Sequence, residues 1–168
     1  VLDETGKQFS LETPYAGDRH IIYYREVPFE EPVPFEEKII FQNENFLIVD
    51  KPHFLPVHPA GKYVNETLVN RLKSKHGFKD IVTAHRLDRL TAGLILCILK
   101  QEVRGQYQTL FINGQIQKTY WAVGSLPESG LREWHVKNCM EKVNPNFLMR
   151  VGSGEQNSES FIKVLEEK

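Results

Sequence analysis

The stretch His85–Cys97 reads HRLDRLTAGLILC and joins a charged segment to an apolar one. The apolar part is too short for a typical helix and predicts a buried strand. Alternate side chains of an extended segment project to the same side, so Arg86 and Asp88 are expected to share a side while Arg89 points roughly opposite. Thr91-Ala92-Gly93 permits a tight turn before the strand. A rigid buried strand would therefore fix the direction in which Asp88 points.

The flanking sequence predicts a mixed α+β fold with a mostly antiparallel sheet and flanking helices. Apolar runs on either side of a turn-rich tetrapeptide predict a hairpin, and two segments with helical spacing end in glycine. The predicted elements are hairpin strands at 39–41 and 46–49, a helix capped by Asn65 and ended by Gly77, a buried strand at 94–100, a helix with Val103, Tyr107, Leu110 and Phe111 on one stripe and Gly114 as its stop, and strands at 116–124 and 158–165.

The first 38 residues differ in composition from the rest. They hold 4 Lys/Arg against 9 Asp/Glu, whereas residues 39–168 hold 17 against 13. Alternating prolines and glutamates at 27–38 predict an extended linker, and a Gly-Asp turn before 20–27 predicts a short strand. The body is therefore mildly basic, which is compatible with a polyanionic ligand.

Composition excludes several classes of protein. Hydrophobic residues at 40% and charged residues at 26% indicate a globular chain rather than a disordered one. No apolar run reaches the length of a membrane span, and two cysteines, Cys97 and Cys139, are too few for a disulfide framework. Cys97 is expected to be a small buried hydrophobe. We expect a cytoplasmic protein.

Asp88 is the strongest candidate for a reactive group. A neighbouring guanidinium favours the charged form of a carboxylate, and an ionised Asp is suited to act as a nucleophile or base rather than as an acid. Three alternatives remain open: a structural Asp-Arg pair, a metal site built from His53, His58 and His85, and a glycosidase-like pair, for which no second carboxylate is evident.

The motif HRLDRLTAGLIL resembles the signature of the RluA-type pseudouridine synthases. Three other segments resemble this family in the correct order: FLIVDKPHFLPVHP at 46–59 precedes the motif, QYQTLFINGQIQKTYWAVG at 106–124 follows it, and TGKQFSLETPYAGDRHIIYY at 5–24 is similar to the tail of an S4-like RNA-binding module. The resemblance implies an S4-like remnant at 1–26, the linker at 27–38 and a catalytic domain at 39–168.

The resemblance implies isomerisation of an RNA uridine to pseudouridine without a cofactor or metal. Asp88 matches the essential aspartate, which attacks C1′ or removes a proton from C2′. Arg86 matches an arginine that helps to extrude the target nucleotide, a step that is physically required because a stacked base blocks its own glycosidic carbon. Tyr120 matches the tyrosine that stacks on the uracil, with Lys118 on the same strand face. Further RNA-binding candidates are Arg89, His58 and Lys51, whereas His85 is expected to serve loop packing.

Two departures from the family pattern stand out. Residue 54 is Phe where many members have a small residue, and a downstream Thr-Gly-Arg-x-His-Gln-type segment, which supplies a basic partner for the aspartate, is absent from these 168 residues. We therefore expect a partial synthase, monomeric, acting on a stem-loop of ribosomal or transfer RNA. The rivals are a non-catalytic RNA-binding module and a hydrolase that uses Asp88 on a sugar.

Overall fold

The computed structural model describes residues 1–14, 17, 20–23, 27, 29–125, 130–143 and 148–167. The chain divides into two compact units, Val1–Lys118 and Thr119–Lys168. Every strand pairing in the described residues is antiparallel. The predicted α+β class with antiparallel sheets is confirmed.

The first unit begins with a short two-stranded ribbon. Strand β1 (Leu2–Asp3) pairs with β2 (Ile21–Ile22). β2 corresponds to the short strand predicted after the Gly-Asp turn, although the aspartate of that turn, Asp18, lies outside the described residues.

A four-stranded sheet forms the centre of the first unit. Its strands are β3 (Lys38–Gln42), β4 (Phe46–Lys51), β5 (Val82–Thr83) and β6 (Gly93–Ile98), in the order β3-β4-β6-β5. The predicted hairpin is β3–β4, and its turn is closed by Asn43, whose side-chain oxygen accepts hydrogen bonds from the backbone of Asn45 and Phe46, both at 2.9 Å. β6 lies between β4 and β5, so the strand that follows the charged motif is central, as its apolar sequence predicts.

The first helix, α1 (Leu68–His76), covers this sheet with Leu68 and Leu72, which are fully buried. Gly77 ends it in the left-handed conformation at φ 76°, as predicted. The predicted cap is wrong: Thr67, not Asn65, accepts from the backbone N–H of Asn70. The backbone N–H of Asn65 instead donates to the Glu30 carboxylate at 2.8 Å, which holds it outside the helix.

The second helix, α2 (Arg104–Ile112), follows a 3₁₀ turn at Gln101–Val103. The four residues of the predicted stripe are half-buried, and Gly114 adopts a φ of 65° just after the helix. Tyr107 packs against Phe46 of β4, with ring centroids 5.2 Å apart. Neither helix in the described part of the chain is long and apolar enough to span a membrane.

The core of the first unit lies between the sheet and α1. Its buried members are Val33, Leu47, Val49, Leu55, Val57, Leu68, Val69, Leu72, Ile81, Ile95 and Cys97. Burial raises the pKa of the Cys97 thiol to about 12, so this cysteine is an unreactive hydrophobe, as expected.

The described part of the predicted linker packs against the first unit. The leader segment, defined as residues 29–37, contains no helix or strand, yet it packs along α1. Arg71 of α1 donates to the carbonyl oxygens of Val33 and Phe35, both at 2.7 Å, and to the carboxylate of Glu37 at 3.1 Å. Arg71 and Glu37 are buried, so the leader segment is part of the first unit's folded structure.

The second unit contains a three-stranded sheet. Strands β7 (Glu133–Lys142), β8 (Met149–Gly152) and β9 (Ser158–Lys163) lie in the order β8-β7-β9, and β9 confirms the strand predicted at 158–165. The strand predicted at 116–124 is wrong, because this segment has no strand structure. Aromatic and β-branched residues favour a strand only where a neighbouring strand supplies hydrogen-bond partners, and no described strand pairs with this segment.

Candidate active site

The Asp88 loop, defined as residues 84–92, connects β5 to β6. His85 and Leu87 are half-buried, whereas Arg86 and Asp88 are exposed. This alternation is the one expected of an extended segment, and it places the arginine and the aspartate on the solvent side. The loop then turns back, because the N–H of Thr91 donates to the carbonyl oxygen of Asp88 at 3.0 Å.

Gly93 makes the transition from the loop into β6. Its φ is 129°, a value that side-chain-bearing residues rarely adopt. A Cβ at this position would lie 3.8 Å from the side chain of Leu87. The backbone freedom of glycine thus allows the chain to enter the central strand directly behind the exposed aspartate.

The Asp88 carboxylate is available to a ligand. It forms no side-chain hydrogen bond or ion pair with any other described residue. The alternative of a structural pair between Asp88 and its neighbouring arginines is therefore not seen in this structure. An exposed carboxylate with no hydrogen-bond or ion-pair partner among the described residues is a group that a substrate can reach.

Lys51 supports the loop from beneath. It ends β4, is fully buried, and its ammonium group donates to the carbonyl oxygens of Leu55 at 2.8 Å, Pro52 at 3.0 Å and Arg89 at 3.5 Å. Burial lowers the pKa of Lys51 to about 8, and the charge of Asp88 partly opposes that decrease. Lys51 is thus an internal cation below the loop rather than a surface contact, a position that the sequence did not reveal.

His58 lies beside the loop on the neighbouring 52–58 segment. Its Nε2 atom is 3.0 Å from the hydroxyl of Thr83 in β5. Burial lowers the pKa of His58, and the positive charge of Arg86 lowers it further. A neutral imidazole is therefore expected at pH 7, close enough to Arg86 to respond to its charge.

His85 packs inside, as expected from the sequence. Its ring stacks on Phe111 of α2 with centroids 4.5 Å apart, and its Nε2 accepts a hydrogen bond from the N–H of Leu96 at 3.2 Å. Burial lowers the pKa of His85, with a further decrease from the charge of Lys118. The structure therefore brings Lys118 within electrostatic range of the Asp88 loop.

Two further contacts join the loop to its surroundings. His53 Nδ1 lies 2.7 Å from the carbonyl oxygen of Leu90, and the Arg89 guanidinium lies over the ring of Tyr63, 5.9 Å from its centroid. Within the described residues, no group of three His, Cys, Asp or Glu side chains is placed to hold a metal ion. The histidines that the sequence offered as ligands, His53, His58 and His85, each contact a different protein group instead.

Tyr120 belongs to the second unit and is 59% exposed. The segment around it is irregular, so the shared strand face predicted for Lys118 and Tyr120 is not present. The structure thus gathers six of the seven predicted residues in the first unit and leaves the tyrosine outside it.

Sequence reasoning missed the connections between the loops. The hydrogen bond from His53 to Leu90 joins residues 37 positions apart. The left-handed backbone of Phe54, at φ 67°, was also not foreseen. The only signal in the sequence was that a large residue stands where a small one is usual in the resembled family.

Comparison with known proteins decides the family. Residues 45–168 match the model of the family described as RNA pseudouridylate synthase, which covers most of the chain, including the Asp88 loop. The chain belongs to the RNA pseudouridylate synthase family. The resemblance identified from the motif is confirmed.

Curated relatives of this synthase family are similar over part of the chain. The tRNA pseudouridine(31) synthase of Saccharomyces cerevisiae is 35% identical over 55% of this chain and 23% of its own length. The tRNA pseudouridine synthase C of Vibrio parahaemolyticus is 30% identical over 64% of this chain and 45% of its own length. The chain therefore spans less than half the length of these relatives.

Solved structures agree on the fold. The structure of human RNA Pseudouridylate Synthase Domain Containing 4 superposes with a TM-score of 0.53 at 23% identity, over 77% of this chain and 48% of that one. Human RNA Pseudouridylate Synthase Domain Containing 1 gives 0.52 at 14% identity, over 79% and 52%. The α+β arrangement described above is that of pseudouridylate synthase domains.

Proposed function

We propose that this chain carries the catalytic aspartate of an RNA pseudouridine synthase, and that Asp88 is that residue. The reaction breaks the N1–C1′ bond of a uridine and forms a C5–C1′ bond. The carboxylate of Asp88 either attacks C1′ or removes a proton from C2′. Both routes require an accessible, ionised carboxylate.

The observation that carries the proposal is the exposed Asp88 carboxylate at the entry to central strand β6, which has no hydrogen-bond or ion-pair partner in the part of the chain that the structure describes. Gly93 and Thr91 shape the turn behind it, and Lys51 ties the loop backbone to β4. A reactive group held on a rigid frame loses little conformational entropy when it meets its substrate.

The neighbouring cations fit the handling of a polyanion. Arg86 is exposed on the same side as Asp88, where it can help to extrude the target nucleotide. Arg89 and Lys118 are further cations at this loop, and we assign them to phosphate contacts. We also assign His58, whose pKa responds to the charge of Arg86, to contacts with the RNA.

Tyr120 and Lys51 take different roles in this proposal. Tyr120 is exposed, and we assign it to stacking on the uracil. Lys51 is fully buried, so we assign it to holding the Asp88 loop and to the electrostatic environment of Asp88, not to a direct contact with RNA.

We further propose a stem-loop of transfer RNA as the substrate, with ribosomal RNA as the alternative. The yeast and Vibrio relatives are both named as tRNA pseudouridine synthases. An unpaired loop base is captured at lower cost than a paired one. We assign residues 39–168 to the catalytic domain, 27–38 to a linker whose described part packs along α1, and 1–26 to an S4-like remnant, in a monomeric cytoplasmic protein.

The test is Asp88→Asn in the full-length protein, on RNA from cells in which the gene has been deleted. Gene deletion identifies the target as the uridine that is no longer modified. The wild-type protein should convert this uridine to pseudouridine, whereas Asp88→Asn should not. The affinity of Asp88→Asn for the RNA should change less than about threefold, because the phosphate contacts remain. Asp80→Asn is the matched control, since Asp80 is exposed and its carboxylate has no partner among the described residues.

The rival functions give different results. Retention of pseudouridine formation by Asp88→Asn would overturn the assignment of Asp88. RNA binding by the full-length wild type without any pseudouridine would favour a non-catalytic binding module. Release of free uracil would favour a hydrolase.

A further inference from the structure

We propose that the ring of Phe54 stacks on a nucleobase next to the target uridine and so helps to determine which RNA loop is bound. This inference rests on the proposed function, because it names a further contact to the same substrate. Four features of the structure support it: the backbone at Phe54, the surrounding rings, the contacts to the Asp88 loop, and the charges nearby.

The backbone at Phe54 is unusual. Its φ is 67°, and it is the only described residue other than glycine with a positive φ. Glycine adopts this conformation freely, whereas for a residue with a bulky side chain it costs conformational free energy. Strained conformations of this kind cluster at active sites and ligand-binding sites. Burial of the ring does not offset the cost in full here, because 45% of the side chain is exposed.

The ring of Phe54 lies in a row of three rings. Phe35 of the leader segment stacks on it with centroids 6.1 Å apart and planes inclined by 29°, and His53 lies 6.1 Å away on the adjoining position. Phe35 is itself 47% exposed. The leader segment therefore supports the Phe54 ring while leaving aromatic surface accessible, as a stacking platform requires.

This aromatic row is connected to the reactive loop. His53, immediately before Phe54, contacts the carbonyl oxygen of Leu90 at 2.7 Å. The carbonyl of Leu55, immediately after it, accepts from Lys51, which also reaches the carbonyl of Arg89. Phe54 is thus the exposed tip of a turn whose neighbours on both sides are tied to the loop that carries the proposed catalytic group.

The charges nearby favour RNA over a protein surface as the occupant. The leader segment's glutamates are already engaged: Glu30 with the backbone of residues 64–66, Glu31 with Lys62, Glu36 with Lys75 and Glu37 with Arg71. The exposed Arg86 and Arg89 of the Asp88 loop have no carboxylate partner among the described residues. A ring on a turn tied to this loop, near acids that are already engaged and arginines without a carboxylate partner, suits a base attached to a phosphate chain.

The chemistry also creates a need for such a ring. Extrusion of the target uridine removes the stacking partner of the adjacent base. An aromatic side chain can replace that partner regardless of which base it is, because every base has a π-face. Phe54 would thereby favour the extruded state of the RNA.

The test uses Phe54→Gly, Phe54→Leu and Phe54→Trp in the full-length protein, with the RNA identified by gene deletion. We expect Phe54→Gly and Phe54→Leu to raise KM about tenfold, equivalent to about 1.4 kcal/mol, with kcat within about twofold of the wild type. Phe54→Trp should keep the wild-type KM. The midpoint of thermal unfolding of Phe54→Gly should not fall, because glycine removes the backbone strain.

A second measurement isolates the stacking itself. Two RNAs are needed, each with an abasic nucleotide on one side of the target uridine. One of them should bind the wild type and Phe54→Gly with equal affinity, because the base on which Phe54 stacks is already missing. Phe41→Leu is the control: Phe41 is a half-exposed phenylalanine of β3 that packs on Phe46, and its replacement should leave KM unchanged.

The proposal would be overturned if Phe54→Gly had the wild-type KM, or if its binding defect persisted with both abasic RNAs. In that case, a lower midpoint of thermal unfolding would indicate that the ring supports the leader segment. Failure of the proposed function can be distinguished from failure of the stacking proposal. If the wild type forms no pseudouridine, the same comparison made with dissociation constants for single-stranded oligouridine still decides whether Phe54 stacks on a base.

Discussion

The ammonium group of Lys51, at the end of β4, lies 3.5 Å from the carbonyl oxygen of Arg89 in the Asp88 loop. The same group donates to the carbonyls of Pro52 and Leu55. A single buried cation thus links the central sheet, the turn that carries Phe54 and the backbone immediately after Asp88. Removal of that cation should affect both stability and the geometry of the proposed active site.

We expect Lys51→Met to lower the free energy of unfolding by about 1–3 kcal/mol, because buried carbonyl oxygens lose their donor. Chemical denaturation measures this change. The kcat for pseudouridine formation should also fall, because the Asp88 loop loses a support, while KM for RNA changes little. Lys79→Met is the matched control, since Lys79 is an exposed lysine near the end of α1. Equal stability of the two variants would contradict the role given to Lys51.

Stability should depend on pH in the alkaline range through the same group. Burial lowers the pKa of Lys51 from 10.5 to about 8, so between these values the unfolded chain binds more protons than the folded one. The free energy of unfolding should therefore rise with pH above about 8, by up to about 3 kcal/mol near pH 10. The measurement is the difference in unfolding free energy between wild type and Lys51→Met at several pH values. A difference that stays constant from pH 7 to pH 10 would refute this assignment.

The leader segment should depend on Arg71 for its attachment. Arg71→Met removes the hydrogen bonds to Val33 and Phe35 and leaves the buried Glu37 carboxylate without its guanidinium partner. Removing one partner of a buried ion pair lowers the free energy of unfolding by about 3–5 kcal/mol. We expect a loss of that size in chemical denaturation, and faster chymotrypsin cleavage at Phe29 and Phe35.

The exposed pair of Arg150 with Glu141 provides the comparison for Arg71. Its atoms lie 3.3 Å apart and the arginine side chain is 68% exposed, so Arg150→Met should cost about 1 kcal/mol or less. Cleavage of the leader segment should be unchanged in this variant. If Arg71→Met behaved like Arg150→Met, the leader segment would not be held by the buried network.

The sequence by itself determined the elements that depend on local rules. Alternating and continuous apolar runs gave β4, β6 and β9, helical spacing gave α1 and α2, and Gly77 marked a helix end through its left-handed backbone. The proposed role of Asp88 also comes from the sequence, because the motif that resembles the family signature is contiguous. That Arg86 and Asp88 share one side of an extended segment follows from the period of two alone, whereas the exposure of that side is seen only in the structure.

Only the tertiary structure decided the features that depend on distant residues. The cap of α1 moved from Asn65 to Thr67 because Glu30, 35 positions earlier, holds the backbone of Asn65. The segment around Tyr120 is not a strand, because no described strand pairs with it. Lys51, which reads as a surface cation, is buried because three carbonyl groups converge on it in the fold. Local sequence specifies backbone preference and side-chain alternation, whereas burial, capping and the position of Phe54 beside the Asp88 loop depend on partners that only chain folding brings together.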